Sequence, residues 1–516
     1  MGLRSMNKKP PYSRMITERE WTWTFLGLAL LFGSFVRILP GLLTGFPIND
    51  GGMFAVMMRD LRENNFLLPA FTTYNLSGIP FAYPPLGFYI GAFIESLGVS
   101  ETDALIWLPM IFAAAALPSF YLLARELTGS RPRAALAAVF FALAPGNYIW
   151  LLMGGGLTRA LGMALMTLSF AFVHRALREM KWRTTFLAGL FCALTVLSHP
   201  QSALLTFTGC VVFWFFSGRS RMGTIHAFVI AAVTLLLSSP WWGSVAANHG
   251  FGVFLSAGQS GDLRASFSAL LGNLFSRQTI LPFSTVFWLL GLGRAVFIRR
   301  FDLLVWGFLP YLIDQRSAPI ATSLLYPILA AYGFLDALPA LIDFVRSRKW
   351  NVIPEASLFN VHALSMGMLG IALYLFIESV FHTQVIRTVS LTPAAIEAMI
   401  WARENTPAES SFLILSGRED VMTDPVQEWF PALAERHSVS TLQGLEWTLE
   451  DEFIIRWAQL GNLQSCRAAD CIHARVREME LEFTHLLVDT SKLPPGMFLS
   501  EGYEILFDNG RYVVMR

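Results

Sequence analysis

An aspartate followed by two glycines is the first feature of the chain that could carry chemistry. Asp50 stands after a long apolar stretch and precedes Gly51 and Gly52. One interpretation is structural, because an aspartate before a helix can accept hydrogen bonds from the first backbone N–H groups of that helix. The other is functional, because the glycines leave room for a bulky substrate to approach. The residues alone leave both interpretations open.

Three basic residues at the ends of apolar runs could bind an anion. Arg159 follows the glycine run 154–156, His199 lies between a serine and a proline, and Arg316 follows an aspartate and a glutamine. Each also has a structural interpretation. Arg159 could extend to the membrane surface, His199 could bond a helix-end carbonyl, and Arg316 could form an ordinary ion pair. Charged residues at membrane depth are costly and tend to be functional, which keeps these residues as candidates.

The apolar runs around these residues predict a polytopic membrane protein. The chain has 516 residues, of which 54% are hydrophobic and only 15% are charged. Its formal net charge of +1 argues against a nucleic-acid-binding protein, which needs a basic surface. A spanning helix needs about 20 mostly apolar residues, and by that rule we predict about eleven membrane helices. They lie at 21–43, 104–124, 133–152, 157–177, 184–199, 201–217, 224–245, 280–298, 301–315, 318–343 and 361–382.

Basic clusters recur after every second predicted helix and indicate the orientation. Lys and Arg favour cytoplasmic loops, so the cluster before the first helix places residues 1–20 in the cytoplasm. The parity of the later clusters implies that the marginal apolar stretch 84–98 does not cross the membrane. It predicts one long external loop over 44–103 and an extracytoplasmic C-terminus. Within that loop, 53–61 has the pattern of an amphipathic helix that could rest on the membrane surface.

The end of the chain has the composition of a soluble α/β domain. We predict a membrane domain over 21–390 and an extracytoplasmic domain over 391–516. Cys466 and Cys471 are spaced to allow a disulfide if this domain faces an oxidising compartment. The domain should contain a helix at 393–404 and strands at 411–415, 485–488, 503–507 and 511–515, the last two joined by the turn Asp508-Asn509-Gly510.

Two aromatic and polar segments of this domain, 428–431 and 443–447, could face the membrane domain. Packing within their own domain is the favoured interpretation, because large aromatic side chains are common in domain cores. No catalytic triad, phosphate-binding loop or dinucleotide fingerprint stands out in the chain. The candidates for chemistry therefore remain in the membrane domain and its first external loop.

The first external loop also carries a family resemblance. An apolar helix ends near the acidic Asp50, and short helices and the run Phe81-Ala82-Tyr83-Pro84-Pro85-Leu86 follow. This layout resembles the GT-C superfamily, which includes oligosaccharyltransferases, protein O-mannosyltransferases and aminoarabinose transferases. The resemblance covers residues 20–390 in layout. It implies a multi-pass α-helical fold, a catalytic acidic residue in the first external loop and, often, an extracytoplasmic C-terminal domain.

The resemblance implies transfer of a sugar from a polyprenyl-phosphate-linked donor on the extracytoplasmic side of the cell membrane. Asp50 would be the general base that takes a proton from the acceptor. The lipid phosphate needs cationic or N–H partners. Arg316 is the first candidate for this role, Arg159 the second, and His199 is added to them. The acceptor would be a lipid, a glycan or a protein.

Tyr83 and His249 are the further candidates for binding substrate, and no cofactor is assigned. Oligosaccharyltransferases resemble one another in binding a divalent cation through acidic residues of several external loops. Here the turn 153–159 contains no carboxylate, and no WWDYG-like motif appears in the C-terminal domain. Both departures favour a metal-independent transferase with a monophosphate donor. Asp262 stays a possible second carboxylate for a divalent cation.

Two other functions remain open from the sequence. A transporter or flippase for a lipid or small solute would have its main cavity across the membrane midplane. A non-catalytic assembly subunit could share the same scaffold. An enzyme should instead place Asp50 in a cavity that it shares with Arg316 or Arg159.

Overall fold

The computed structural model describes residues 17–256, 283–347, 361–449 and 452–516. Asp262 and the basic residues before position 17 lie outside these ranges, so the predictions about them stay predictions. The described part is mainly helical, with a small mixed sheet near the C-terminus. It confirms the predicted fold class of a multi-pass helical membrane protein with an α/β region at its end.

Long apolar helices form the membrane part. Seven of the described helices are long and apolar enough to cross a bilayer. The other predicted spans contain shorter helices, so the total number of crossings stays a prediction. In chain order the helices are α1 (Glu18–Leu43), α2 (Gly52–Glu63), α3 (Leu86–Ser96), α4 (Glu101–Thr128), α5 (Arg131–Leu143), α6 (Gly156–Glu179), α7 (Trp182–Val196), α8 (Pro200–Ser217), α9 (Arg221–His249), α10 (Gly252–Ser256), α11 (Phe283–Phe297), α12 (Phe301–Phe308), α13 (Pro310–Ile313), α14 (Ala318–Tyr332), α15 (Leu338–Ser347) and α16 (Val361–Ile386).

Polar side chains set where several of these helices begin. Ser100, Ser130 and Ser220 each accept a hydrogen bond from a backbone N–H in the first turn of α4, α5 and α9. Such bonds satisfy N–H groups that have no partner within a helix. At the start of α8 this position belongs to His199, whose ring accepts the N–H of Ser202. His199 therefore bonds the beginning of one helix rather than the last carbonyl of another.

Small residues bring α1 close to the helices that carry the candidate site. A Cβ on Gly33 of α1 would lie 2.8 Å from the Cβ of Ala142, near the end of α5. A Cβ on Gly41 would lie 2.6 Å from the sulfur of Met110 in α4. Helix α4 packs along α6. Close backbone approach of this kind stabilises helix pairs in a bilayer, and it brings the end of α1 next to the beginning of α6.

Helix α2 is buried, so the prediction that 53–61 rests on the membrane surface is wrong. The side chains from Met53 to Met58 are all buried, and α2 packs between α3 and a helix of the C-terminal region. The run from Met53 to Met58 is apolar on all sides of the helix, and such a run belongs in a core. Helix α3 has 11 residues and is therefore about 16 Å long. That is half of the ~30 Å a crossing needs, and the absence of a crossing at 84–98 stays a prediction.

The C-terminal region, residues 391–516, contains a five-stranded mixed sheet in the order β2-β1-β3-β5-β4. The predicted strands and the hairpin between β4 and β5 are confirmed, and β2 is an additional short strand. Cys466 and Cys471 form a disulfide. The strands are β1 (Ser411–Leu415), β2 (His437–Ser438), β3 (His485–Asp489), β4 (Ile505–Asp508) and β5 (Tyr512–Met515), and the helices are α17 (Pro393–Asn405), α18 (Pro425–Ala434), α19 (Glu452–Ser465), α20 (Ala469–Glu478) and α21 (Gly496–Leu499).

Candidate active site

The chain turns between α1 and α2, and this turn carries Asp50. On either side, Asn49 and Gly51 have positive φ angles of 58° and 132°. The carboxylate points to the start of α6, where Oδ1 accepts the Gly155 N–H at 2.9 Å and Oδ2 lies 2.7 Å from Nη2 of Arg159. The N-cap residue of α2 is Gly51. Asp50 thus binds the N-terminus of α6, where a negative charge is favourable, and not that of the helix that follows it.

The glycine run before α6 makes this contact possible. A Cβ on Gly154 would lie 1.9 Å from the backbone carbonyl oxygen of Asp50, and a Cβ on Gly155 would lie 2.7 Å from its Oδ2. The Gly154 N–H also donates to the carbonyl of Ile48 at 3.0 Å. Because any side chain at these positions would separate the two segments, the glycines fix the position of the carboxylate.

Arg159 lies between a carboxylate and an indole ring. Its Nη2 is 2.7 and 3.1 Å from the two Asp50 oxygens, and its guanidinium carbon is 4.1 Å from the centre of the Trp150 ring. The side chains of Arg159 and Asp50 are only 12% and 17% exposed, so solvent ions screen this pair weakly. In the described part of the chain, the buried Nε of Arg159 has no hydrogen-bond partner. Arg159 is therefore not a side chain that extends to the membrane surface.

A glutamate from the C-terminal region occupies the start of α2. Glu428 in α18 accepts the N–H of Gly51 at 2.9 Å and also bonds the N–H of Met53. It takes the place that a capping side chain would have. Burial, followed by the negative charge of Asp50, raises the pKa of Glu428 to about 8. This carboxyl group is therefore mostly protonated at neutral pH.

The neighbouring tryptophan makes the same connection. The indole N–H of Trp429 donates to the carbonyl of Asn49 at 2.9 Å. A Cβ on Gly52 would lie 2.5 Å from the carbonyl oxygen of Glu428. The interpretation that this segment packs only within its own domain is therefore wrong. The space beside Gly52, expected to admit a substrate, is filled by α18.

Tyr83, His199 and Arg316, three further residues that the sequence predicts for the site, lie in the same region as Arg159. The ring centres of Tyr83 and His199 are 6.4 Å apart. Arg159 and Arg316 are both close enough to His199 for their charges to act on its imidazole. Arg316 likewise acts on Glu446. Two arginines and a histidine thus share one region with the Asp50 carboxylate.

Residues 443–447 of the C-terminal region close this side of the site. The ring of Trp447 meets the edge of the Tyr83 ring, with centres 6.3 Å apart. Burial raises the pKa of Glu446, and its Oε2 has no hydrogen-bond partner among the described residues. This segment also faces the membrane part, against the favoured interpretation. An unpaired buried carboxylate oxygen is unusual and suggests a ligand or water there.

The ring of His199 is fixed by its own helix. Its Nδ1 accepts the Ser202 N–H at 3.4 Å. In a neutral imidazole one nitrogen accepts and the other donates, so Nε2 carries the hydrogen. His199 can then offer an N–H to an anion while it remains uncharged.

The remaining candidates have different placements. His249 packs on the segment between α2 and α3, with Nε2 2.7 Å from the carbonyl oxygen of Ala70 and its ring against Phe71. Asp262 lies outside the described residues. Across the described ranges, no group of three or more His, Cys, Asp and Glu side chains is arranged to hold a metal ion.

Glu428, Glu446 and Trp150 were not predicted as site residues. The two glutamates lie in the aromatic and polar segments 428–431 and 443–447, and each directly precedes a tryptophan. A carboxyl group among large aromatic side chains was the available signal, because a charged side chain is almost never fully buried without a partner. Nothing in the sequence around Trp150 distinguishes it from an interfacial anchor.

These side chains together can bind an anion and accept a proton. Asp50 is held in one orientation by an arginine and a backbone N–H, and part of it is exposed. Arg316 and His199 supply a positive charge and an N–H donor nearby. A carboxylate next to anion-binding groups suits a reaction in which a nucleophile loses a proton while a phosphate departs.

Comparison with known proteins gives the fold. Residues 82–243 match the family model described as dolichyl-phosphate-mannose-protein mannosyltransferase. The archaeal oligosaccharyltransferase AglB from Archaeoglobus fulgidus superposes on this chain with a TM-score of 0.58 at 15% identity. The match covers 96% of this chain and 74% of the AglB chain. ArnT from Cupriavidus metallidurans superposes with a TM-score of 0.56 at 12% identity, and the match covers 96% of this chain and 97% of the ArnT chain. The chain has the GT-C fold.

A third structure with the GT-C fold is longer. The arabinofuranosyltransferase AftD from Mycobacteria superposes over 97% of this chain and 42% of its own length, with a TM-score of 0.54 at 15% identity. The AglB structure contains an inhibitory peptide and a dolichol-phosphate, and the ArnT structure contains undecaprenyl phosphate. A search of the curated proteins finds no match to this GT-C chain.

Proposed function

We propose that this protein is a glycosyltransferase that moves a sugar from a polyprenyl-phosphate-linked donor to an acceptor on the extracytoplasmic side of the membrane. The observation that carries the proposal is the Asp50–Arg159 ion pair at the junction of the membrane part and the C-terminal region. The charges of Arg159 and Arg316 both reach His199. The comparisons support the fold on which such a site is built. Two proteins with this fold have polyprenyl phosphates bound.

Asp50 is the proposed general base. It takes the proton from the acceptor hydroxyl or amine, whose oxygen or nitrogen attacks the anomeric carbon of the donor sugar. The bond between that carbon and the phosphate oxygen breaks, and the polyprenyl phosphate departs with the bonding electrons. A base placed in this way contributes typically 10²–10⁴-fold to rate. Arg159 acts as a positioning residue, because it fixes the carboxylate without being required to touch the substrate.

The anionic leaving group is the proposed ligand of Arg316 and His199. Arg316 supplies a permanent positive charge, and His199 supplies an N–H donor. The rim formed by Tyr83, Glu446 and Trp447 then contacts the sugar or the acceptor, because hydroxyl groups can bond the free Glu446 oxygen. His249 contributes indirectly, by holding the first external loop at Ala70.

The basic clusters support the orientation that this function requires. A cytoplasmic N-terminus and an external C-terminal region place the site at the outer face of the cell membrane. The buried disulfide-forming cysteine Cys466 agrees with an oxidising compartment. The acceptor then comes from outside the cytoplasm as a lipid, a glycan or a protein.

The test is sugar transfer by purified protein from a panel of polyprenyl-phosphate sugars. Asp50→Asn should lower the rate by about 10²–10⁴-fold while donor binding, measured separately, survives. Asp470→Asn, at an exposed position of α20, is the matched control and should act like wild type. Unchanged transfer by Asp50→Asn would remove Asp50 from the chemistry. A parallel assay with a chelator decides whether a divalent cation takes part.

A further inference from the structure

A cavity of about 850 Å³ lies between the end of α1, the residues that follow α16, and helix α17. None of its lining residues belongs to the candidate active site. Its apolar wall includes Leu43, Ile396, Ile400, Trp401 and Phe507. The rings of Trp401 and Phe507 are stacked, with centres 5.2 Å apart. The volume is in the range of pockets that hold small organic ligands, roughly 300–1,000 Å³.

Two buried polar atoms in the wall of this cavity lack a hydrogen-bond partner among the described residues. In the described part of the chain, the buried Nε of Arg387 and the buried hydroxyl of Ser390 make no hydrogen bond. The Arg387 guanidinium bonds a neutral amide, because its Nη1 donates to Gln384 Oε1 at 2.8 Å. Buried groups of this kind normally have partners. A guanidinium with free donors beside a hydroxyl group suits a phosphate.

The α17 side of the cavity carries negative charge. Glu397 and Glu404, both on α17, line the cavity. Oε1 of Glu404 lies 4.0 Å from Nη2 of Arg403, whereas Oε2 of Glu397 accepts from the neutral side-chain amide of Asn509 at 2.9 Å. Glu397 is therefore the carboxylate without a cationic partner among the described residues that line the cavity. A ligand that carries only negative charge would be repelled by these carboxylates. A ligand with a phosphate and an ammonium group can satisfy both walls.

The cavity also lies at the depth of lipid headgroups. Leu43 is the last residue of α1, and Arg387 directly follows α16. The ends of spanning helices lie where the hydrocarbon core meets the polar headgroups. An apolar wall open at this depth can receive the glycerol and upper acyl chains of a bilayer lipid, which a free phosphate does not have.

We infer that this cavity is a binding site for one phosphatidylethanolamine molecule of the bilayer. Its phosphate bonds Arg387 and Ser390, and its ammonium group faces Glu397 and Glu404. Its glycerol region lies against Trp401. The bound lipid then joins the end of α1 to α17 of the C-terminal region. This site is separate from the proposed donor site and does not depend on the proposed activity.

The experiment is native mass spectrometry of the full chain released from nanodiscs that contain equal amounts of phosphatidylethanolamine and phosphatidylglycerol. The wild type should retain one phosphatidylethanolamine, also in the presence of excess inorganic phosphate. Arg387→Gln should lower the retained fraction about tenfold, because a charge-assisted bond is lost. The same change at the exposed Arg183, at the opposite end of the membrane part, is the matched control and should have no effect.

Two further variants distinguish lipid recognition from general damage. Ile400→Trp fills the cavity and should also release the lipid, while the purified protein keeps the thermal unfolding temperature of the Arg183→Gln control. The double change Glu397→Gln and Glu404→Gln should reverse the preference toward phosphatidylglycerol. Equal retention of both lipids by the wild type would overturn the inference. So would displacement by inorganic phosphate, or retention by Arg387→Gln at the wild-type level.

Discussion

The two sides of the turn around Gly51 differ in how they hold a carboxyl group. On the membrane side, Asp50 is paired with Arg159 and with the N-terminus of α6, and part of it is exposed. On the side of the C-terminal region, Glu428 is buried and accepts the backbone N–H groups of Gly51 and Met53 at the start of α2. The first arrangement keeps a negative charge beside the solvent. The second favours a neutral carboxyl group inside a contact.

The difference separates chemistry from assembly. A charged, oriented and accessible carboxylate can accept a proton from a substrate. A neutral carboxyl that caps a helix from 377 residues away instead joins two parts of the chain. Two acidic residues that bond adjacent backbone segments therefore have different roles, which their surroundings determine. The following predictions test that distinction, from the largest expected effect to the smallest.

The largest effect is expected where the position of Asp50 is fixed. In Gly154→Ala, the new Cβ would lie 1.9 Å from the Asp50 carbonyl oxygen, so the turn and α6 must separate. A displacement of about 1 Å at a reacting group can cost about 10²-fold in rate, and the transfer assay should show that loss. Gly243→Ala, whose Cβ would meet nothing within 4 Å, is the control. Equal rates for both variants would contradict the positioning role of the glycine run.

Arg159 should have the next largest effect. Arg159→Gln removes the charge that orients Asp50, and we expect kcat to fall about tenfold or more, because charge-assisted hydrogen bonds are strong. Arg159→Lys should restore part of the rate, since it keeps the charge but not the fork geometry. KM should change little in Arg159→Gln, because Arg159 orients the carboxylate and need not touch the substrate. A rise in KM with an unchanged kcat would show that Arg159 binds the substrate and does not act through Asp50.

Glu428 should affect stability more than rate. Its pKa is raised to about 8. When the C-terminal region is docked, Glu428 therefore keeps its proton at pH values where the undocked carboxyl group, with its ordinary pKa, has already released it. Docking should therefore be strongest at low pH and weaken as the pH rises toward 8, by at most about 1.4 kcal/mol per pH unit. Hydrogen exchange of α18, corrected for intrinsic rates, measures this.

Variants separate Glu428 from its neighbours in that experiment. Glu428→Gln stays neutral and should lose the pH dependence of protection. Glu435→Gln changes an exposed carboxylate at the end of the same helix, and this variant should keep the pH dependence of protection. A pH dependence that survives in Glu428→Gln would assign it to another group.

The disulfide should have the smallest effect on transfer. Replacing Cys466 and Cys471 with serine opens the loop that the disulfide closes, in which the two cysteines are 5 positions apart. This loop is far in sequence from the turn that carries Asp50. By loop entropy the C-terminal region should lose about 2 kcal/mol of stability, measured by its thermal unfolding. Transfer at low temperature should stay at the wild-type rate. A large loss of transfer would show that the C-terminal region contributes to the active site through other parts as well as through the segments near Glu428 and Glu446.

The sequence predicted the class of fold and part of the site. Apolar runs of sufficient length and a switch to ordinary composition near residue 391 are enough for the fold class. Asp50, Arg159, His199 and Arg316 were selected because charged side chains are rare near membrane helices. The structure brings these four residues into one region.

What the sequence could not predict depends on long-range contacts. Asp50 and Arg159 are 109 residues apart, and local patterns do not pair residues at that distance. The surface position expected for 53–61 is wrong because its polar residues lie only at one end, and the sequence does not show that α18 covers the rest. The same contact explains why Glu428 was not selected.

The cap that Glu428 provides for α2 has a consequence for biosynthesis. A ribosome makes roughly 5–20 residues per second, so Glu428 emerges tens of seconds after Gly51. During that interval the backbone N–H groups at the start of α2 lack this partner, and the Asp50 turn lacks its outer wall. The proposed active site is therefore completed only when the last quarter of the chain has been translated and has folded back. A nascent or truncated polypeptide would be inserted in the membrane before it could act on a substrate.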